Sequence, residues 1–203
     1  MKRVFAIMAA VLLVFVSVKA EFRYGPIIGG GISNLHFKQD LVDIKKVPSF
    51  SAGVLGEMMF AGIGFGMDLG LKYEMRGAKM DLGSKPMWAD QGYGNERYYM
   101  HYLVIPIHLR FKYTRLNGFE DNLAPFAYVG PSIGMLVAHS RMEAMDNAFG
   151  ELGLDMGIGA EIKRKWQVSF NYNLGLTYAT KAKILTDYSA KNRVMDIRVA
   201  YLF

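Results

Sequence analysis

The chain has 203 residues, no cysteine, 52% hydrophobic residues and a formal charge of +6. That length admits one domain with a real interior, and the missing thiols exclude a disulfide framework or a thiolate metal site. Past the N-terminus no apolar run approaches the roughly 20 residues that a membrane helix needs.

At the N-terminus, Lys2 and Arg3 precede the apolar run Val4–Val18, and small Ala20 closes the segment "SVKA". This pattern predicts a secretory signal over residues 1–20, cut between Ala20 and Glu21, followed by one domain over 21–203. An N-terminal membrane anchor is the other reading; the shortness of the run and the lack of a stop-transfer flank weigh against it. Removing 1–20 takes away Lys2, Arg3 and Lys19 and no acid, so the charge falls to +3. The basic balance is mostly export signal and gives no reason to expect nucleic acid as a partner.

Along the remaining chain, apolar residues recur at every second position. Residues 22–34 alternate loosely, and 49–60 set Phe50, Val54, Met58 and Phe60 on one side. Over 63–77, Ile63, Phe65, Met67, Leu69, Leu71, Tyr73 and Met75 alternate with glycine or charge. Residues 101–113 repeat the pattern, with His101, Leu103, Ile105, Ile107, Leu109, Phe111 and Tyr113 on one face. Residues 125–137 are apolar on both faces. The windows 151–163, 166–178 and 195–203 return to strict alternation. Period two predicts strands. Eight of them, roughly 10 to 15 residues long against a usual five or six, predict an all-β fold: an eight-stranded antiparallel up-and-down transmembrane β-barrel. The connections alternate between short turns, such as Lys163–Lys165, and long loops near 36–47, 77–98, 138–149 and 179–192. In membrane barrels the short turns are periplasmic and the long loops extracellular.

Alternation alone leaves two arrangements: a lipocalin-like barrel with a greasy interior, or a membrane barrel with a greasy exterior. Three features favour the second. Glycines 64, 66, 70, 153, 157, 159 and 175 share the polar face, where a narrow interior has room for few large side chains. Charges of both signs share it too, and enclosed together they can pair. The expected interior network is Asp68, Lys72, Glu74, Arg76, Arg110, Lys112, Glu151, Asp155, Glu161 and Arg198. Aromatic residues cluster at the ends of the apolar faces, as in an interfacial girdle.

The segments "YLVIPIHLRFKY" (Tyr102–Tyr113), "APFAYVGPSIGML" (Ala124–Leu136), "LGLDMGIGAEI" (Leu152–Ile162) and "NYNLGLTY" (Asn171–Tyr178), with the terminal "AYLF", resemble the PorT-like outer-membrane β-barrel family of Bacteroidota. Phe126 stands where that family usually has Tyr. The resemblance implies an eight-stranded barrel in the outer membrane of a Gram-negative bacterium and little about activity. Its name-giving member serves assembly of a secretion system, which makes an accessory of that kind the alternative to a structural or surface-interaction role.

No motif predicts catalysis, a cofactor or a metal. "GIGFG" at 62–66 lacks the third glycine and the following helix of a phosphate loop. His101 and His108 are seven apart on one strand, so they point to opposite faces. His101, His139, Ser140, Asp90 and Glu96, near the loop end, are the residues an enzyme reading would use, without a supporting motif. The loop after Gly77, with Met87, Trp88 and Tyr93, is the expected interaction surface. Tyr201 and Phe203 are the expected signal for the barrel-assembly machinery. The other expected partners are outer-membrane lipid and a protein met through the long loops.

Overall fold

The structure is a computed structural model, and it describes residues 20–37, 43–60, 64–81, 94–113, 121–140, 145–182 and 189–203. Eleven strands follow in order: β1 (Ala20–Phe37), β2 (Asp43–Lys45), β3 (Val47–Phe60), β4 (Phe65–Asp81), β5 (Asn95–Lys112), β6 (Leu123–His139), β7 (Met145–Asn147), β8 (Gly150–Ile162), β9 (Trp166–Gly175), β10 (Thr180–Ala182) and β11 (Ser189–Tyr201). The eight long ones pair antiparallel in chain order, β1-β3-β4-β5-β6-β8-β9-β11. β11 then pairs with β1 from Ile27↔Ala200 to Phe37↔Ala190, which closes the barrel. Closure leaves the ring of eight long strands without an open edge, the condition for spanning hydrocarbon with β-structure.

All eight predicted strands are present, and several run further toward the loop end than alternation indicated. β4 continues to Asp81 and β5 begins at Asn95, inside the stretch expected to be loop. The three short strands extend the wall in the same direction. β2 pairs β4 at Lys45↔Lys79, and β3 pairs it at Phe50↔Met75. Five steps on one strand match four on the other, the one-residue excess of a β-bulge. There the Gly77 N–H donates to Ser33 Oγ at 3.0 Å. β7 and β10 pair with each other above β8 and β9.

At the opposite end the hairpin between β8 and β9 turns through Lys163 (φ 51°) and Arg164 (φ 58°). Two successive left-handed residues give the mirror-image turn whose twist suits flanking strands, at a backbone cost these side chains do not relieve. The Lys163 N–H reaches the Asn122 carbonyl at 3.0 Å, and the Leu202 N–H reaches that of Lys165 at 2.8 Å.

The apolar face points outward. Ile28, Val54, Leu69, Leu109, Ile158, Phe170 and Ile197 are exposed around the wall. Aromatic rings gather at the turn end: Tyr24 and Phe203 are 6.1 Å apart, Phe65 and Phe111 5.0 Å, and Trp166 and Tyr201 4.9 Å. Tyr73 and Tyr178 lie toward the loop end. The greasy-interior arrangement is therefore not the one adopted.

Candidate functional site: the filled interior of the barrel

All ten charged residues expected inside are buried there. Strand pleat explains it: each is offset by an odd number of residues from the lipid-facing positions of its own strand. Burying an ion costs several kcal/mol unless it is paired and hydrogen-bonded, so the network must satisfy itself.

It does so in layers, although Glu151 Oε1 and Asn192 Oδ1 are left without a hydrogen-bond partner among the described residues. Nearest the turn end, Lys112 Nζ lies 2.6 Å from Glu57 and 2.7 Å from Glu161. The part-buried Arg23 bonds the same two carboxylates, at 2.6 Å for Glu161. Gln167 Nε2 donates to both, at 2.7 and 2.8 Å. In the next layer Arg110 grips Asp68 through Nε and Nη2, at 2.7–2.9 Å, and reaches Glu57 at 3.1 Å. His108 stands between Asp68 and Asp155, at 3.8 and 3.3 Å. Arg198 bonds Asp196 at 2.6 Å and approaches Glu74 at 3.4 Å and Asp155 at 3.6 Å. Lys72 Nζ is 2.8 Å from Glu74. Highest in the network, Arg76 holds Glu74 and Glu151, and the Asn192 amide donates to Glu151 at 2.7 Å. Among the described residues six interior cations, Arg23, Lys72, Arg76, Arg110, Lys112 and Arg198, face seven carboxylates, Glu57, Asp68, Glu74, Glu151, Asp155, Glu161 and Asp196. A gap of about 20 Å³ bordered by Asp68, Lys72, His108 and Arg198 is the size of a single water site.

Aromatic rings laid over glycine brace the network. Tyr128 pairs across strands with Gly157, and Phe126 with Gly159. A Cβ on Gly157 would stand 2.4 Å from Tyr128 Cζ, and one on Gly159 2.7 Å from Phe126 Cζ. The glycines are therefore the floor on which these rings lie. Arg110 stacks over Phe126, 4.2 Å from the ring centroid, and His108 stacks on Tyr128 at 4.7 Å.

The expectation of an interior filled by polar and charged side chains holds for only part of the barrel. Toward the loop end the lining becomes apolar: Leu35, Phe37, Ala78, Met80, Tyr98, Met100, Tyr102, Val104, Met145, Ala179 and Ala190 form one buried cluster. The Tyr98 hydroxyl bonds Asn147 at its edge. Where the wall rises above the charged layers, these side chains close it chiefly by packing, with the Tyr102 hydroxyl linked to Met100 and Asn192. The expectation failed because Met80 and Tyr98 fall in stretches read as loop, and Met100 lies just before the predicted start of the next strand.

Sequence reasoning also left out Arg23 and Glu57, which lie in the two weakly alternating windows. Strand parity could have found them: Phe22, Tyr24, Met58 and Phe60 are lipid-side positions, so the residues between face inward. Tyr201 and Phe203 sit on the outer wall at the turn end, with rings 5.1 Å apart. Met87, Trp88 and Tyr93 lie outside the described residues. His139 and Ser140 are not arranged for nucleophilic catalysis: the Ser140 hydroxyl accepts from the Tyr99 N–H at 3.1 Å, and His139 Nδ1 is bound to the Ser140 carbonyl at 2.9 Å. No group of three or more metal-binding side chains occurs among the described residues.

A closed barrel of this kind, apolar outside and charged within, fits a known domain family: the profile described as "Outer membrane protein beta-barrel domain" matches residues 17–181. The chain belongs to that family. Family members are outer-membrane proteins, and that is where this outer membrane protein beta-barrel domain resides. No curated protein sequence matches the chain. Similar solved structures include OprG from Pseudomonas aeruginosa, at 13% identity and TM-score 0.49, covering 88% of this chain and 96% of that one. Ail, the attachment invasion locus protein of Yersinia pestis, gives 13% and 0.46 over 90% and 99%. The outer membrane enzyme PagL gives 8% and 0.46 over 86% and 97%. Likenesses this distant lend the chain neither a ligand nor a reaction.

Proposed function

We propose that this outer-membrane barrel is a non-conducting scaffold that acts through its surface and its long loops. The observation that carries the reading is the filled interior: charged layers from the turn end to Glu151, then an apolar cluster up to Met145 and Ala190. An eight-stranded wall leaves side-chain-filled space rather than a channel. Export through a signal cut after Ala20 belongs to the same reading, supported by Lys2 and Arg3 ahead of the apolar run Val4–Val18. So does kinship with the PorT-like barrels of Bacteroidota, supported by the segments Tyr102–Tyr113 and Ala124–Leu136.

Planar-bilayer recording tests the central claim. The refolded chain should show no stepwise conductance at any applied voltage; steady unitary currents would sink the scaffold reading. Crosslinking in native membranes, followed by identification of what is captured through the loops, separates an interaction role from a purely structural one.

A further inference from the structure

We propose that the loop-end rim of β1 and β11 binds the phosphate of an outer-leaflet lipid, through Arg193 and Lys191. The two cations lie two residues apart on β11 and are exposed on the lipid side, while Asn192 and Val194 beside them are buried inside. The register sets Arg193 opposite Asn34 and Lys191 opposite His36 on β1. One step toward the membrane, Met195 opposes Ile32, and both are exposed apolar residues; Val199 and exposed Ile28 continue the same face below them. The wall thus passes from hydrocarbon contact to fixed positive charge within two residues, a rise of about 7 Å. That step is the boundary where acyl chains end and phosphorylated headgroups begin.

Further cations surround the pair. Exposed Lys46 precedes Val47, whose partner Ser33 adjoins Asn34. Lys181 on β10 pairs with Ser189, diagonal to Lys191. Among the described residues, Asp146 on β7 stands across from Lys181, with β10 between it and β11. Among the described residues, Lys46, Lys191 and Arg193 form no ion pair, whereas the interior Arg23, Arg76, Arg110 and Arg198 are all paired. Like charges side by side on a sheet repel one another, and an anion seated between them reverses the sign of that contribution. A guanidinium with an adjacent ammonium suits a phosphate group, bound bidentately by the first and as a point charge by the second. The apolar strip directly below selects a phosphate that carries acyl chains. The occupant is therefore a phosphorylated, acylated lipid of the outer leaflet rather than a soluble anion.

This inference rests on the loops facing outward and is independent of whether the barrel conducts. The test is native mass spectrometry of the refolded full-length domain in detergent, offered lipid A (a bisphosphorylated, multiply acylated sugar) or its dephosphorylated form. The chain should retain lipid A, and Lys191→Gln combined with Arg193→Gln should lower retention about tenfold or more. Lys163→Gln with Lys165→Gln, at the turn end, should leave it unchanged. Dephosphorylated lipid should bind about tenfold more weakly, and inorganic phosphate should not displace lipid A. Equal retention by the rim variant, equal binding of the dephosphorylated lipid, or displacement by inorganic phosphate would each overturn the assignment. Folding of each variant is checked by its heat-dependent gel mobility, and if the double variant does not fold, Lys191→Gln alone must show the loss.

Discussion

Arg110 on β5 and Asp68 on β4 meet through three hydrogen bonds inside the barrel, Nε to both carboxylate oxygens and Nη2 to one of them. Deleting one partner leaves the other charged, buried and short of a bond. Asp68→Leu should therefore cost about 3–5 kcal/mol, and Asp68→Leu with Arg110→Met should recover most of the loss. Urea unfolding of the barrel in lipid vesicles checks this; a double variant as unstable as the single would show that the pair is not the unit of stability.

The outward position of Leu69 predicts a depth effect. Leu69→Arg, in the middle of β4 on the lipid side, should destabilise the inserted barrel by about 2–4 kcal/mol. Leu123→Arg, at the turn end of β6, should cost no more than about 1 kcal/mol. Equal costs in the same vesicle titration would contradict the placement of the apolar band.

Gly157 and Tyr128 are coupled by contact. Gly157→Ala drives a methyl into the Tyr128 ring and should cost about 1–3 kcal/mol, because neither strand can withdraw. Combining it with Tyr128→Leu should cost less than the two single changes added together. Additive costs in that double-mutant cycle would mean that the ring moves aside freely.

The apolar cap and the charged layers block the barrel independently. Met100→Ala should destabilise it by about 2–5 kcal/mol through the cavity it leaves. It should open no conductance, since the layers from Glu151 down to Glu161 stay closed. Stable current steps from that variant would place the whole seal in the cap.

Phe203 separates assembly from stability. Its N–H donates to the Tyr24 carbonyl at 2.8 Å, while its ring is exposed at the turn end. Phe203→Ala should change unfolding stability by about 1 kcal/mol or less. In cells, however, it should sharply lower the fraction of chain inserted as heat-shifted barrel. An unchanged inserted fraction would remove the residue from any assembly signal.

How much of this was legible beforehand follows from where the physics is local. Strand identity, and the inward turn of Asp68, Lys72, Glu74 and Arg76, follow from period two on a single strand. The pairing of Arg23 with Glu161 crosses the barrel and depends on closure, so no single window of sequence carries it. The apolar cap was hidden for another reason. Met80 and Met100 face inward beside residues that are not strongly apolar outward, so near the rim alternation fades and a strand reads as loop. The bulge between β2 and β3 adds to this by shifting parity by one residue.

The polar lining also works as a combination lock. Its bonds join residues as far apart as Arg23 and Glu161, and the seam matches Ile27 with Ala200. Shift any strand by one residue and its charges turn toward hydrocarbon while its leucines turn inward. The misaligned alternatives are thus penalised in proportion to the number of charges displaced. The same side chains that seal the barrel also make one alignment of eight strands far more stable than its neighbours, the β1–β11 seam included.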